Sequence, residues 1–164
     1  MRVKSSVIVR APRPRVWETL SDPDRYLDFM SGITRWELED GKPGKLELGS
    51  RIRMLIRVGA AEIGGLIEIV ELKECSDMAW SSVTGVDQRG RWRLREAGPG
   101  HTRVELRYSY GVAGGGLGGL VAERVAAPIL RRRLDQSLHA LKRTVERDQQ
   151  RRGTKSRKRS ASPA

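Results

Sequence analysis

Apolar and charged residues alternate along the middle of the chain, in runs that Gly, Asp and Pro separate. The runs cover residues 33–39, 51–57, 62–69, 91–95 and 103–112, and a less regular one covers 77–84. A period of two places apolar residues on one face of each strand and charged residues on the other. The pattern therefore predicts an antiparallel sheet with one face in water.

The period changes before this region. Residues 3–10 are rich in β-branched side chains and predict a first strand that ends before Pro12. Two short helices are expected next, the first entered at Pro12 and Pro14 and the second running from Asp24 to about Met30. The predicted order is therefore one strand, two short helices, six strands and a C-terminal helix, which is an α+β arrangement.

The longest predicted element is a helix over residues 117–147. Its second half carries one apolar stripe on a 3.6-residue period, formed by Leu130, Leu134, Leu138, Leu141 and Val145. Pro128 removes a backbone donor and should bend the helix, so that its two halves present different faces to one curved surface. Because one face of the sheet has to be covered, we expect this helix to pack on it.

The chain of 164 residues has a formal charge of +12, and its C-terminal end carries half of that excess. The basic residues of this end, with no acid among them, are Arg151, Arg152, Lys155, Arg157, Lys158 and Arg159. A segment this polar cannot bury enough apolar surface to offset its ordering entropy. We therefore predict one domain over residues 1–148 and a basic, disordered tail over 149–164.

The chain has few residues for metal or covalent chemistry. Cys75 is its one cysteine, and His101 and His139 are its two histidines, so we predict no metal site and no cofactor. The glycine-rich segment 111–119 lacks the Lys-Ser/Thr of a phosphate-binding loop and is either a hinge or a tight loop. With no signal peptide and no apolar run of about 18 residues, we expect a cytoplasmic protein without a transmembrane segment.

Three short motifs and the terminal helix carry a resemblance to a known superfamily. The motifs are Val9-Arg10-Ala11-Pro12, Pro14-Arg15-Val16-Trp17 and Ser21-Asp22-Pro23-Asp24-Arg25-Tyr26. Over residues 2–147 the chain resembles the START-like (SRPBCC) superfamily, and in particular its bacterial polyketide cyclase/dehydrase-type members. The resemblance implies a helix-grip fold, in which a curved seven-stranded antiparallel sheet surrounds the long C-terminal helix. It also implies a hydrophobic cavity between the sheet and the helix.

The cavity would be lined by the apolar faces of the strands and by the first half of the long helix. We predict ligand contacts from Trp36, Met54, Ile56, Ile67, Trp80, Ser82, Trp92, Tyr108, Tyr110, Leu117, Val121 and Val125. The alternative is that these side chains fill a closed core. Four tryptophans beside one phenylalanine favour a cavity, because a buried indole N–H needs a hydrogen-bond partner.

Side chains with a capacity for catalysis are scarce in this set. Tyr108 and Tyr110 would place a phenol in the cavity as a proton donor, and Ser82 would donate a hydrogen bond to a carbonyl group. Tyr26 is expected at the mouth of the cavity. No acid/base pair is recognisable, so the sequence leaves open whether the protein is an enzyme of the polyketide cyclase/dehydrase type.

Two functions are consistent with these patterns. The first is binding of a small hydrophobic ligand such as a lipid or a polyketide, with transport or cyclisation as the activity that the resemblance implies. The second is docking to nucleic acid or to an anionic membrane through the basic tail and an arginine-rich sheet face. That face carries Arg51, Arg53, Arg57, Arg91, Arg93, Arg95, Arg103 and Arg107. Cross-strand pairing with Glu62, Glu68 and Glu105 would neutralise part of this charge. A chaperone-like or regulatory member without a stable ligand is a third interpretation.

Overall fold

The computed structural model describes residues 2–39, 45–58, 60–111 and 117–160, with side chains described in these ranges except at 58, 61, 110, 117–126 and 155–160. Within them the chain forms seven strands, two short helices joined by a 3₁₀ turn, and one long helix. The strands are β1 (Arg2–Val9), β2 (Ile33–Leu38), β3 (Arg51–Val58), β4 (Ala61–Lys73), β5 (Asp77–Ser82), β6 (Gln88–Glu96) and β7 (Thr102–Tyr110). The helices are α1 (Arg13–Leu20), α2 (Tyr26–Phe29) and α3 (Leu117–Ser160), with the 3₁₀ turn at Pro23–Arg25.

The strands form a single curved antiparallel sheet. Its spatial order is β1-β7-β6-β5-β4-β3-β2, so β2 to β7 form a meander and the first strand joins the last. This sheet, the long C-terminal helix and the short helices after β1 confirm the helix-grip prediction. The arrangement follows from the alternating pattern, because strands with one apolar face can share one buried side.

The apolar face of the sheet, which we call the inner face, forms most of the core. Ile52, Ile67, Leu94 and Leu106 are each completely buried on it. Ile63 belongs to the same face by register, but its side chain is 44% exposed. Ile63 lies beside the β3–β4 connection, at the end of the sheet. The alternating pattern of the strand continues there, past the part of the inner face that is buried.

Two consecutive glycines in β4 allow the sheet to curl tightly. A Cβ atom on Gly64 would lie 2.0 Å from the carbonyl oxygen of Met54, and one on Gly65 would lie 2.0 Å from that of Thr84. The pairing of β3 with β4 keeps its register through both glycines, so the glycines allow close backbone contact without a β-bulge in this pair. The register shift of β4 against β5 lies further on, between Ile69 and Glu71.

The long helix α3 runs beside the edge strand β1. Asp135 accepts a hydrogen bond from Ser5, the Lys142 ammonium donates to the Ile8 carbonyl oxygen at 2.7 Å, and Glu146 accepts from the Arg10 amide at 2.8 Å. The predicted apolar stripe is buried at Leu134, Leu138, Leu141 and Val145 and half-buried at Leu130. The stripe prediction is thus confirmed. No helix in the described ranges is long and apolar enough to cross a membrane.

The C-terminal boundary of α3 differs from the prediction. The helix continues through Pro128 and past residue 147 to Ser160, so it includes residues 149–160 of the segment that the sequence predicts to be a disordered tail. Gln, Arg and Lys have high helix propensity, and extending a formed helix costs far less than starting one. The exposed Arg152 also forms an ion pair of 3.2 Å with Glu18 of α1. A functional division at residue 148 stays a prediction.

Candidate functional site

Six aromatic side chains form a connected cluster between the inner face of the sheet and the short helices. Ring centroids are 4.0 Å apart in the stacked pair Tyr26–Trp36 and 6.2 Å apart in the perpendicular pair Trp36–Trp80. The cluster continues through Trp80–Tyr108 on one side and through Tyr26–Phe29 and Phe29–Trp92 on the other. The structure therefore brings together four predicted ligand residues, namely Trp36, Trp80, Trp92 and Tyr108.

Tyr26 occupies the centre of this cluster, so its predicted position at the mouth of a cavity was wrong. Its side chain is completely buried, and its hydroxyl donates a hydrogen bond of 2.9 Å to the Leu20 carbonyl oxygen. Burial raises the pKa of the Tyr26 phenol far above its ordinary value, and the Trp92 side chain offsets only part of that effect. Tyr26 is therefore a neutral structural residue. The sequence missed this role because a single tyrosine in a short helix has no periodic signal.

The indole N–H groups of Trp36, Trp80 and Trp92 are buried without a hydrogen-bond partner among the described residues. The Trp92 group acts on the Tyr26 phenol, which leaves Trp36 and Trp80 as the available donors of the inner face. Both side chains are buried, at 5% and 1% exposure. Burying such a donor without a partner is costly. These two groups are thus positioned to donate to a molecule held on this face.

Tyr108 and Ser82, the predicted polar contacts, are both engaged with protein groups. The Tyr108 hydroxyl donates to the side-chain carbonyl oxygen of the buried Gln88. The Ser82 hydroxyl accepts a hydrogen bond of 3.1 Å from the Gln88 amide and donates over 3.4 Å to Asp87. Ser82 therefore stabilises the β5–β6 turn. Gln88 was not among the predicted site residues, because the sequence pattern does not distinguish a buried glutamine at the start of a strand from an exposed one.

The other apolar candidates mark two regions of the inner face. Met54 and Ile67 are buried, whereas Ile56 is half-buried beside the 44% exposed Ile63. Ile33 pairs with Ile56 on the other side and is also half-buried. An accessible apolar row therefore crosses β2, β3 and β4 next to the aromatic cluster. The remaining candidates, Tyr110, Leu117, Val121 and Val125, lie outside the described side chains.

Ion pairs neutralise much of the charged outer face, as the pairing interpretation predicts. Arg51 pairs with Glu68 at 3.2 Å and Arg57 with Glu62 at 3.1 Å. The other pairs are Arg53–Glu39, Arg91–Glu71, Arg107–Glu105, Arg93–Asp77 and Arg95–Asp77. Such exposed pairs contribute little stability, and they neutralise part of the positive charge of this face.

Asp77 is the buried carboxylate of this network. It accepts hydrogen bonds from Arg95 at 3.0 and 3.1 Å, from Arg93 at 3.2 Å and from the Ser76 hydroxyl at 2.7 Å. Burial alone would raise the pKa of Asp77, but the Ser76 hydroxyl and the two guanidinium groups outweigh it and hold the pKa below its usual value. In the described part of the chain, no three His, Cys, Asp or Glu side chains come together where a metal ion could be held.

Comparison with known proteins gives a family match. The model of a family described as "Polyketide cyclase / dehydrase and lipid transport" matches residues 1–146. A search of curated proteins gives no significant match.

Solved structures share the fold at low sequence identity. The TTHA0849 protein of Thermus thermophilus is 20% identical, with a TM-score of 0.74 over 88% of this chain and 97% of that one. The Zhui aromatase/cyclase of Streptomyces sp. R1128 is 22% identical, with a TM-score of 0.71 over 90% and 94%. The di-domain ARO/CYC BexL of the BE-7585A biosynthetic pathway is 19% identical, with a TM-score of 0.64 over 89% and 46%. At these identities the likeness shows the fold.

Proposed function

Because the chain belongs to the polyketide cyclase / dehydrase and lipid transport family, we propose that it binds a small hydrophobic ligand, such as a lipid or a polyketide, between the sheet and α3. Family membership and the aromatase/cyclase neighbour support ligand binding or cyclisation in general terms. The proposal adds the location of the ligand and the groups that recognise it.

The observation that carries the proposal is the pair of buried indole donors. Trp36 and Trp80 each bury an N–H without a partner in the described residues. A ligand with a carbonyl or hydroxyl oxygen would accept from one of them and remove the cost of burying that donor. Apart from the Tyr108–Gln88 hydrogen bond and the Trp92 indole, most of the inner face is apolar, which is typical of sites with a few placed polar groups. The preferred ligand is therefore largely apolar and oxygenated.

The accessible row at Ile33, Ile56 and Ile63 is the proposed entrance. It lies on the same face as Trp36, because Trp36 pairs with Met54 and Ile56 follows two residues later on β3. An apolar group that covers this row removes Ile63 from water, which favours binding by about 25 cal/mol for each Å². The ligand would then extend from this row toward Trp36 and Trp80.

Binding and orientation are the chemistry that this arrangement supports. The Tyr108 hydroxyl donates its hydrogen bond to Gln88, and Tyr26 is kept neutral by burial. A folded conformation of a flexible chain, once held on the inner face, brings its own reactive groups together. Cyclisation of a bound polyketide would therefore be assisted mainly by positioning.

Equilibrium dialysis with flavone, a neutral aromatic ketone, tests the proposal. The variants Trp36→Phe and Trp80→Phe keep an aromatic ring and remove the N–H. We expect at least one of them to weaken flavone binding by about three- to tenfold, the equivalent of one hydrogen bond. Trp17→Phe on α1 is the matched control, because Trp17 is buried but belongs to none of the described ring pairs of the cluster, and it should leave the affinity unchanged.

A hydrocarbon of similar shape separates hydrogen bonding from packing. We expect 2-phenylnaphthalene, which has no acceptor oxygen, to bind with an affinity that neither tryptophan variant changes by more than about twofold. Absence of binding for both compounds would contradict ligand binding on the inner face. Equal weakening of both compounds would contradict the role of the indole N–H groups.

A further inference from the structure

An open cleft lies on the outer face of the sheet, opposite the proposed ligand site. It has a volume of about 520 Å³ and crosses β1, β7, β6 and β5. Its lining includes Arg2, Arg89, Arg91 and Arg107, with Val70 and Ala79 at one end. Trp80 and Tyr108 also line it, although their side chains are buried on the inner face. Neither the family match nor the predicted ligand residues account for this concentration of arginine.

Two of the four arginines are already neutralised. Arg91 pairs with Glu71, and Arg107 pairs with Glu105 at 2.6 Å. Arg2 and Arg89, by contrast, have no ion pair and no hydrogen bond with any residue for which side chains are described. The cleft therefore contains two uncompensated guanidinium groups on a face where most arginines are paired.

Strand register places the two free arginines in one row. Arg2 on β1 is opposite Ser109 on β7, which is opposite Arg89 on β6, which in turn is opposite Ser81 on β5. Adjacent strands are about 4.8 Å apart, so two arginines flank one serine within reach of a single small anion. The row alternates two guanidinium forks with two half-buried hydroxyl groups.

These donors match a phosphate group. A phosphate monoester carries about two negative charges and three strong acceptor oxygens, and planar guanidinium forks bind such oxygens in pairs. Ser81 and Ser109 add hydroxyl donors between and beside the forks. The cleft volume also falls within the usual range for small-molecule sites. An organic group attached to the phosphate would contact Val70, which is 52% exposed, and Ala79.

We propose that this outer cleft binds the phosphate group of an organic phosphate ester, with Arg2 and Arg89 as its principal ligands. Arg51 and Arg93 on the same face are ion-paired, and Arg103, which has no described ion pair, lies outside the cleft, so Arg2 and Arg89 form a local concentration of positive charge. A local charge fits a single phosphate group better than the extended backbone of a nucleic acid. The site is distinct from the inner face, so the protein would carry two separate binding surfaces.

Isothermal titration calorimetry of the full chain with phenyl phosphate, with phenol as the control without phosphate, tests the proposal. We expect saturable binding of phenyl phosphate, and we expect Arg2→Ala and Arg89→Ala each to weaken it by about tenfold. Arg89→Lys keeps the positive charge but removes the planar guanidinium group, which donates paired hydrogen bonds, and it should give an intermediate affinity. Arg103→Ala is the matched control. Arg103 is an exposed arginine of β7 without a described ion pair, on the same face and outside the cleft.

Vesicles distinguish a soluble phosphate ester from a lipid head group. Cosedimentation with vesicles that contain phosphatidic acid in phosphatidylcholine, weakened by Arg89→Ala and not by Arg103→Ala, would support a lipid phosphate as the source. Binding of phenyl phosphate without such cosedimentation would support a soluble ester.

Two results would overturn the proposal. One is failure of the wild-type chain to bind both phenyl phosphate and the phosphatidic acid vesicles. The other is an equal loss of affinity in the Arg103→Ala and Arg89→Ala variants, which would show diffuse attraction of anions. Because the cleft and the inner face are on opposite sides, Arg89→Ala should leave flavone binding unchanged. The two proposals therefore succeed or fail independently.

Discussion

Gly90 of β6 gives the most direct test of how the aromatic cluster packs. Gly90 is opposite both Trp80 of β5 and Tyr108 of β7, and the Trp80 indole lies over it. A Cβ atom on Gly90 would be 1.9 Å from Cζ2 and 2.2 Å from Cε2 of that ring. The substitution Gly90→Ala therefore cannot be accommodated unless Trp80 moves.

The size of the effect follows from the room around Trp80. Ordinary contact begins near 3.4 Å, so the ring has to move by about 1.5 Å (3.4 minus 1.9). Trp80 is 1% exposed and contacts Trp36 and Tyr108, so its neighbours must move as well. Overpacking of this kind costs about 1–3 kcal/mol. Replacing glycine by alanine recovers about 0.4–1 kcal/mol from the unfolded chain. We expect a net loss of about 1 kcal/mol in the free energy of unfolding.

Urea unfolding followed by far-ultraviolet circular dichroism measures this loss. Fluorescence is less suitable because the second variant of the experiment removes a tryptophan. In a Trp80→Leu background the ring is absent, so adding Gly90→Ala should be neutral or stabilise the protein by up to about 1 kcal/mol. The double-mutant cycle should then give a coupling energy of about 2 kcal/mol.

The matched control is Gly153→Ala, because a Cβ atom at Gly153 in α3 meets nothing within 4 Å. That variant should be neutral or more stable by up to about 1 kcal/mol. A Gly90→Ala protein as stable as wild type would refute the placement of the Trp80 indole over Gly90. An equal loss in the Trp80→Leu background would refute it as well.

Two further predictions concern stability. Leu138→Ala should cost about 2–5 kcal/mol because Leu138 is 1% exposed on the buried stripe of α3, whereas Ile129→Ala, at a 56% exposed position of the same helix, should cost less than about 0.5 kcal/mol. Equal urea midpoints for the two variants would argue against docking of α3. Asp77→Asn should cost about 1–3 kcal/mol at neutral pH. Because the folded-state pKa of Asp77 lies below its unfolded value near 3.8, this stabilisation is complete above about pH 5 and is lost as pH falls through the lower folded-state value. The stability difference between wild type and variant should therefore be constant from pH 5 to 8 and shrink below about pH 4. A difference that instead grows below pH 4 would contradict the lowered pKa.

The sequence predicted the fold well because the fold depends on periodicity. Alternation identified the strands, and the spacing of Leu134, Leu138 and Leu141 identified the buried side of α3. Periodicity does not indicate where the covered part of the sheet ends, because the alternation that buries Ile67 continues to Ile63, which is 44% exposed. The end of α3 was also misplaced, because a polar composition is compatible with both disorder and an exposed helix.

The candidate site was less predictable because it depends on contacts between distant residues. Trp36, Trp80 and Tyr108 were recognised as inward-facing, but the stacking of Tyr26 on Trp36 requires the path of the chain between α2 and β2. The outer cleft was missed for a related reason. Sequence alone does not show which arginines find a carboxylate, and Arg2 and Arg89 become distinctive only when the partners of their neighbours are known.

The pairing of β1 with β7 has a consequence for the order in which the protein can be completed. Val3 pairs with Tyr108, so about 100 residues of chain separate these partners, whereas β2 to β7 each pair with a strand that is adjacent in sequence. During synthesis from the N-terminus, the meander can form hairpin by hairpin while β1 waits as an unpaired apolar segment. The segment becomes protected only when β7 has emerged and α3 can pack beside it. Slow translation or early termination before residue 110 should therefore expose β1 to aggregation and to recognition by chaperones.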